Sequence, residues 1–276
     1  MGLKTILKGA VVAGAMVGIG AGSAIAQTAG CDATEFSSKT GELYMKAENE
    51  LLQNKNAQAA LGAINQLRNQ ELNCYEQGAV LRLGAAIKIQ AKDFAGAARD
   101  LEAALNQGYI SGPDATNTYF QISQIYLNEE NLDKSMEFFQ KWINAGGKPD
   151  RDQKWQLAVI NQKLGNDGEA LKWAEQVLAA DGAGADRQVY DFLIFLYDKT
   201  GNLSKKAQLL EQLLAKNPNE RKLWDAISGD YFQANDERKA FEVQKAMYLG
   251  GILTKEDELM RVVNFYNRFN VPYKGA

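Results

Sequence analysis

Apolar and polar positions along this chain follow a helical period, and the pattern restarts about every 36 residues. Small residues followed by apolar helix formers recur at Ala60, Ala97, Ser135, Ala170, Ala207, Ala240 and Ala276. Ahead of each lies another stretch of helically spaced apolar residues. Six of these stretches end in a polar turn: Asn54-Lys55-Asn56, Lys92-Asp93, Glu130-Asn131, Gly165-Asn166-Asp167, Gly201-Asn202 and Asn235-Asp236. Asn, Asp and Gly mark turns because they accept unusual backbone angles or bond to their own backbone. Two helices and a tight turn per period make a helical hairpin. A lone hairpin cannot bury its apolar face, so stacking is obligatory. The pattern predicts an array of about seven hairpins over residues 41–276, with an N-terminal arm over 27–40. The last hairpin is incomplete: Met260, Val263 and Tyr266 form a helix, and Val271 to Ala276 form a turn entering its partner.

Finer spacing narrows the repeat type. Trp224, Ile227, Ser228 and Tyr231 are followed by Ala240 and Met247; Tyr119, Ile122, Ser123 and Tyr126 by Ser135 and Phe139. Tyr190, Leu193, Ile194 and Tyr197 form a third copy, with Leu210, Leu213 and Pro218 after them. Copies around Ala158, Gly165 and Ala170, and around Ala47, Leu51, Ala60 and Ile64, keep less of the pattern. This spacing resembles the tetratricopeptide repeat. Ala60, Ala97, Ser135, Ala170 and Ala240 let the two helices of a hairpin approach, and the bulky residues fill the groove to the next hairpin. The resemblance implies an all-α right-handed superhelix (an α-solenoid). Its concave face, lined by the first helix of each pair, would grip peptides or partner proteins.

The first 26 residues have a different character. Lys4 and Lys8 precede an uncharged run from Gly9 to Ala21, and Ala24-Ile25-Ala26 supplies a small-x-small cleavage pattern. The run is short and glycine-rich for a bilayer span, so residues 1–26 read as a secretory signal cleaved after Ala26. The expected location is a bacterial periplasm, with no transmembrane segment in the mature chain. Cys31 and Cys74 are the two cysteines. In an exported chain a pair of cysteines points to a disulfide. The competing reading is lipidation, since Ala29-Gly30-Cys31 ends as a lipoprotein cleavage site does. Thr28 stands where that site usually has an aliphatic residue. A lipidated Cys31 would make the protein an outer-membrane lipoprotein scaffold in envelope assembly. The two fates of Cys31 exclude each other.

Composition removes several classes of function. With 46% hydrophobic residues the chain can build a core and is not disordered. It has no histidine, which removes histidine triads, metal sites and proton shuttles together. A formal charge of −3 argues against nucleic acid as a partner. No phosphate loop, nucleophile elbow or metal pattern is present in the sequence. Asp181 to Asp186 lacks the terminal glutamate of a calcium loop and reads as a turn between repeats. The chemistry expected is therefore contact rather than catalysis, with no enzyme activity, metal or cofactor. Helical phase on the first helices selects Arg82, Phe120, Gln124, Trp155, Asp191, Phe195, Asp225 and Phe232 as groove candidates. Phe120, Trp155, Phe195 and Phe232 would form an aromatic ladder for an extended or apolar peptide. The alternative for each is packing between repeats.

A closer resemblance rests on Leu213 to Pro218, Trp224, Gly251-Ile252-Leu253-Thr254-Lys255-Glu256 and Val271-Pro272-Tyr273-Lys274, with a similar stretch at Gly108-Tyr109-Ile110-Ser111. These look like the repeat proteins encoded beside TonB–ExbB–ExbD systems in proteobacteria. The resemblance implies a periplasmic accessory adaptor of energy-coupled outer-membrane transport. Its partners would be envelope proteins, including TonB, ExbB or ExbD components. Members of that family run on past the Pro-Tyr-Lys turn, which implies a chain continuing beyond Ala276.

Overall fold

The computed structural model describes residues 31–269. The signal segment 1–26 and the turn expected at Val271–Ala276 lie outside the described residues. Among those residues there are thirteen α-helices and no strand, arranged as tetratricopeptide hairpins. The chain divides after Asp150 into two compact units. The first holds three hairpins: α1 (Ser38–Leu52) with α2 (Ala57–Arg68), α3 (Cys74–Gln90) with α4 (Phe94–Asn106), and α5 (Gly112–Asn128) with α6 (Leu132–Asn144). The second holds α7 (Arg151–Lys163) with α8 (Asp167–Asp181), α9 (Arg187–Lys199) with α10 (Leu203–Lys216), and α11 (Arg221–Gln233) with α12 (Glu237–Leu249). Its last described helix is α13 (Glu256–Arg268).

All six hairpin turns use one device. A residue two or three positions past the end of the first helix takes a left-handed conformation: Lys55, Lys92, Glu130, Gly165, Gly201 and Asn235. An Asn or Asp follows each and starts the second helix. The side chains of Asn56, Asp93, Asn131 and Asp236 accept the N–H groups of Ala59, Gly96, Lys134 and Lys239, satisfying donors that a helix start leaves open. In all six turns the N–H of that Asn or Asp also reaches back to the first helix, as from Asp93 to the Lys88 carbonyl at 2.8 Å. Lysine and glutamate pay a steric cost in the left-handed region that glycine does not. Replacing exposed Lys92 or Glu130 by Gly is therefore expected to stabilise the protein by about 0.5–1 kcal/mol, after the loss to unfolded-chain entropy. Urea unfolding of each variant checks this, and a loss of stability would refute it.

Close approach within a hairpin depends on the residue whose N–H bonds the carbonyl of that starting Asn or Asp. These residues are Ala60, Ala97, Ser135, Ala170 and Ala240, all fully buried. In the fifth hairpin the equivalent residue is Lys206, and Ala207 lies one step further along. Ala207, which keeps the period of small residues in the sequence, is itself buried, one position past the point of close approach. On the facing helix, Ile194 stands where the other hairpins have Ala85, Ser123, Ala158 or Ser228. Two large side chains hold α9 and α10 apart. Accordingly α10 packs more extensively on α11 than on its own partner. The Lys206 ammonium spans the gap, 2.6 Å from Asp198 on α9 and 3.1 Å from Asp230 on α11.

The N-terminal arm is tied down covalently. Cys31 and Cys74 form a disulfide with their Cα atoms 5.8 Å apart, which fixes the arm to the start of α3. Beneath it, Glu76 is nearly fully buried and accepts the N–H groups of Asn73 and Ser37, both at 2.9 Å, and the Thr40 hydroxyl. Burial pushes this carboxyl's pKa up, but the donors outweigh it and hold it below the usual glutamate range. A Cys31 sulfur committed to Cys74 has no thiol left to carry a lipid.

Candidate partner-binding face

Each first helix presents one residue at the same place relative to its hairpin turn: Met45, Arg82, Phe120, Trp155, Asp191 and Asp225. The structure gives these residues different surroundings. In the first unit, half-buried Arg82 lies 3.7 Å from Asp114 at the start of α5. Phe120 packs onto its own hairpin, with ring centroids 5.5 Å from Phe139 and 4.9 Å from Trp142. Gln124, also half-buried, donates to the Ser123 hydroxyl at 3.5 Å. In the second unit, Trp155 meets Phe192 edge-on at 5.0 Å, which joins the hairpin of α7 to that of α9. Phe120 and Trp155 thus pack between helices. The other two aromatic candidates stay open: Phe195 is 47% exposed and Phe232 is 53% exposed.

The acids beside them are paired along their own helices. Asp191 lies 2.7 Å from Arg187 and Asp225 lies 3.3 Å from Arg221, both at i,i+4 spacing. Arg221 does more than pair with Asp225. It donates to the Ile252 carbonyl at 2.9 Å and to Glu258 at 2.5 Å, tying α13 to α11. Glu258 also accepts from the N–H groups of Thr254 and Lys255. Arg221 and these donors hold its carboxyl down at about 2. The first-helix side of the second unit is therefore a braced platform carrying exposed Phe195 and Phe232.

Three exposed apolar residues on first helices were not among the groove candidates: Met45 and Leu52 on α1 and Met260 on α13. The step that selects Arg82 and Phe120 also selects Met45, so the signal was present. The Gly-x-apolar stretches behind the closer family resemblance have structural work to do. Gly108 and Gly251 are left-handed helix ends, and the N–H groups that follow them reach back to Ala104 and Met247. Ile110 and Leu253 then anchor the turn in the core. The Asp181–Asp186 segment is a turn containing a short 3-10 helix, and Arg151 grips Asp181 through two bonds of 3.0 and 2.7 Å. Among the described residues no cluster of acids or cysteines could hold a metal ion. No described helix is long and apolar enough to cross a membrane.

The repeated turns, close-packed small residues and stacked hairpins define a tetratricopeptide-repeat fold. No family model matches the chain, and no curated protein does. Solved structures similar to it include a tetratricopeptide repeat protein from Parabacteroides merdae, 11% identical over 87% of this chain and 90% of that one, with a TM-score of 0.45. MamA from AMB-1 is 15% identical over 66% and 95%, with a TM-score of 0.41. The TPR2AB domain of yeast Sti1 in complex with pHSP90 is 14% identical over 86% and 98%, with a TM-score of 0.39. Likenesses at this level carry nothing about ligand or partner.

Proposed function

We propose that this protein is a periplasmic interaction scaffold that holds a partner protein on the first-helix face of its second unit, as an accessory adaptor of a TonB-type energy-transduction system. The observation that carries the binding role is the exposure of Phe195 and Phe232 on successive first helices, where other aromatic side chains are covered. Large rings held open on a braced helical surface are typical anchors for a partner. The periplasmic location rests on the signal-like segment, and the Cys31–Cys74 bridge supports it, because such bridges persist in oxidising compartments. The bridge also favours the soluble form over the lipoprotein alternative. The TonB assignment rests on the sequence resemblance. A helical-repeat surface of this kind offers contact area, so its product would be proximity between other proteins.

The test is a titration of the mature chain with the periplasmic part of a TonB-like protein. Phe195→Ala or Phe232→Ala is expected to weaken binding by about 5- to 30-fold, the scale of an interface anchor, with helicity unchanged. Phe120→Ala and Trp155→Ala should instead lower thermal stability, because those rings pack. If neither exposed ring changes the affinity, the face is misassigned. If no TonB-system component binds at all, the adaptor role falls.

A further inference from the structure

We propose that the cleft between α10 and α12, floored by α11, is a second binding site, for a partner segment in which a large apolar side chain adjoins a lysine or arginine. The cleft measures about 550 Å³, within the size range of ligand pockets; half-buried Trp224 on the floor and half-buried Val243 on the α12 wall face it, over fully buried Ile227 and Tyr231. Polar atoms on the floor are already engaged. The Trp224 indole N–H donates to the Pro218 carbonyl at 2.8 Å, and the Tyr231 hydroxyl bonds to Glu211. What faces an entering group is therefore the Trp224 ring and the aliphatic surface of Val243 and Ala246.

The rim has the opposite character. Glu211 on α10 and Glu242 on α12 bring carboxylates from both walls, against one lysine, Lys239. Lys239 lies 3.5 Å from Asp236 and over the Tyr231 ring, 5.1 Å from its centroid. Lys245 pairs with Glu242 at 3.4 Å, but this exposed i,i+3 pair is weak and exchanges readily. An apolar floor under an acidic rim disfavours an anion, and a neutral hydrophobe would use only the floor. An apolar side chain with a neighbouring cation matches both.

This site is separate from the face carrying Phe195 and Phe232. Trp224, Ile227 and Tyr231 share one side of α11 at i, i+3 and i+7, and Asp225 and Phe232 sit one residue further round. The two surfaces can therefore fail independently.

The probes are three capped tetrapeptides, acetyl-Gly-Phe-Lys-Gly-amide and its Phe-Glu and Ser-Lys counterparts, titrated into the mature chain while the Trp224 indole N–H resonance is followed by NMR. The Phe-Lys peptide is expected to shift that resonance saturably, with a Kd at least tenfold lower than that of either counterpart. Ala246→Trp, a substitution at an exposed position in the cleft wall, should fill the cleft and raise the Kd at least tenfold. The near-isosteric changes Glu211→Gln and Glu242→Gln should each raise it about threefold, the scale of a partly exposed charge contact. Phe195→Ala should leave it unchanged. Absence of a saturable shift, equal response to all three peptides, or indifference to both the cleft-filling and the charge-removing changes would overturn the proposal.

Discussion

Reducing the Cys31–Cys74 bridge, or replacing Cys74 by Ser, is expected to cost the first unit about 4 kcal/mol of stability. The cysteines are 43 residues apart in sequence. Cross-linking a loop of that length removes much of the unfolded chain's freedom, and the chain-entropy relation converts this to the figure quoted, as an upper value. Without the covalent tie, the arm is held to α3 by the Glu76 network of Ser37, Thr40 and Asn73, by Asn73 donating to the Glu35 carbonyl, and by Phe36 packed edge-on against Tyr75. Urea unfolding with and without reductant measures the loss. Hydrogen exchange should show the Ser37 amide losing protection first. A change below about 1 kcal/mol would mean that the noncovalent contacts alone order the arm, and that the bridge adds little.

The second large effect is expected at Lys206→Ala, which should destabilise the protein by about 2–3 kcal/mol at pH 7. Asp230 is buried on α11. One of its carboxylate oxygens has no hydrogen-bond partner, and the other depends on Lys206. Breaking a buried ion pair by removing one partner costs more, about 3–5 kcal/mol, but water reaches the 17%-exposed Lys206 side chain and reduces the effect. Asp198, the other partner, is well exposed and loses little.

The pH dependence follows from Asp230. Burial raises its pKa against the pull of Lys206, so the fold favours the neutral acid more than the unfolded chain does. This contribution is fully present below the unfolded pKa of about 3.9 and is lost as pH rises through the folded pKa. Removing Lys206 raises the folded pKa further. The penalty of the variant is thus complete at neutral pH and should shrink as acid protonates Asp230. Lys206→Ala combined with Asp230→Ala should recover most of the loss, because the charge goes and a small residue returns to the close-approach position. A neutral or stabilising Lys206→Ala at pH 7 would show that Asp230 is solvated and that the triad joins nothing.

The candidate face was only half legible in the sequence. Phe120, Trp155, Phe195 and Phe232 look alike by helical phase, yet two are packed and two are open. The difference comes from residues far away in sequence: Phe139 and Trp142 cover Phe120, and Phe192 covers Trp155. The register slip in the fifth hairpin has a similar origin. Counting small residues selects Ala207, since a lysine contradicts the expected composition. The backbone bond to Asn202 shows that Lys206 holds the position, and it is tolerable there only because Asp198 and Asp230 converge on it.

The sequence by itself determined the hairpins and their turns, because these depend on neighbours along the chain. Helical periodicity couples residues three and four apart, and an Asn or Asp after a turn acts within its own helix start. Even the left-handed turns were located correctly, although Lys55, Lys92 and Glu130 conceal the conformation that glycine would have announced. Tertiary structure alone decided which rings stay exposed, how the fifth hairpin opens around Lys206, and where the cleft over Trp224 lies. Burial belongs to pairs of surfaces brought together by stacking. Each of these outcomes depends on side-chain size and charge contributed by another helix, which a one-dimensional period does not encode.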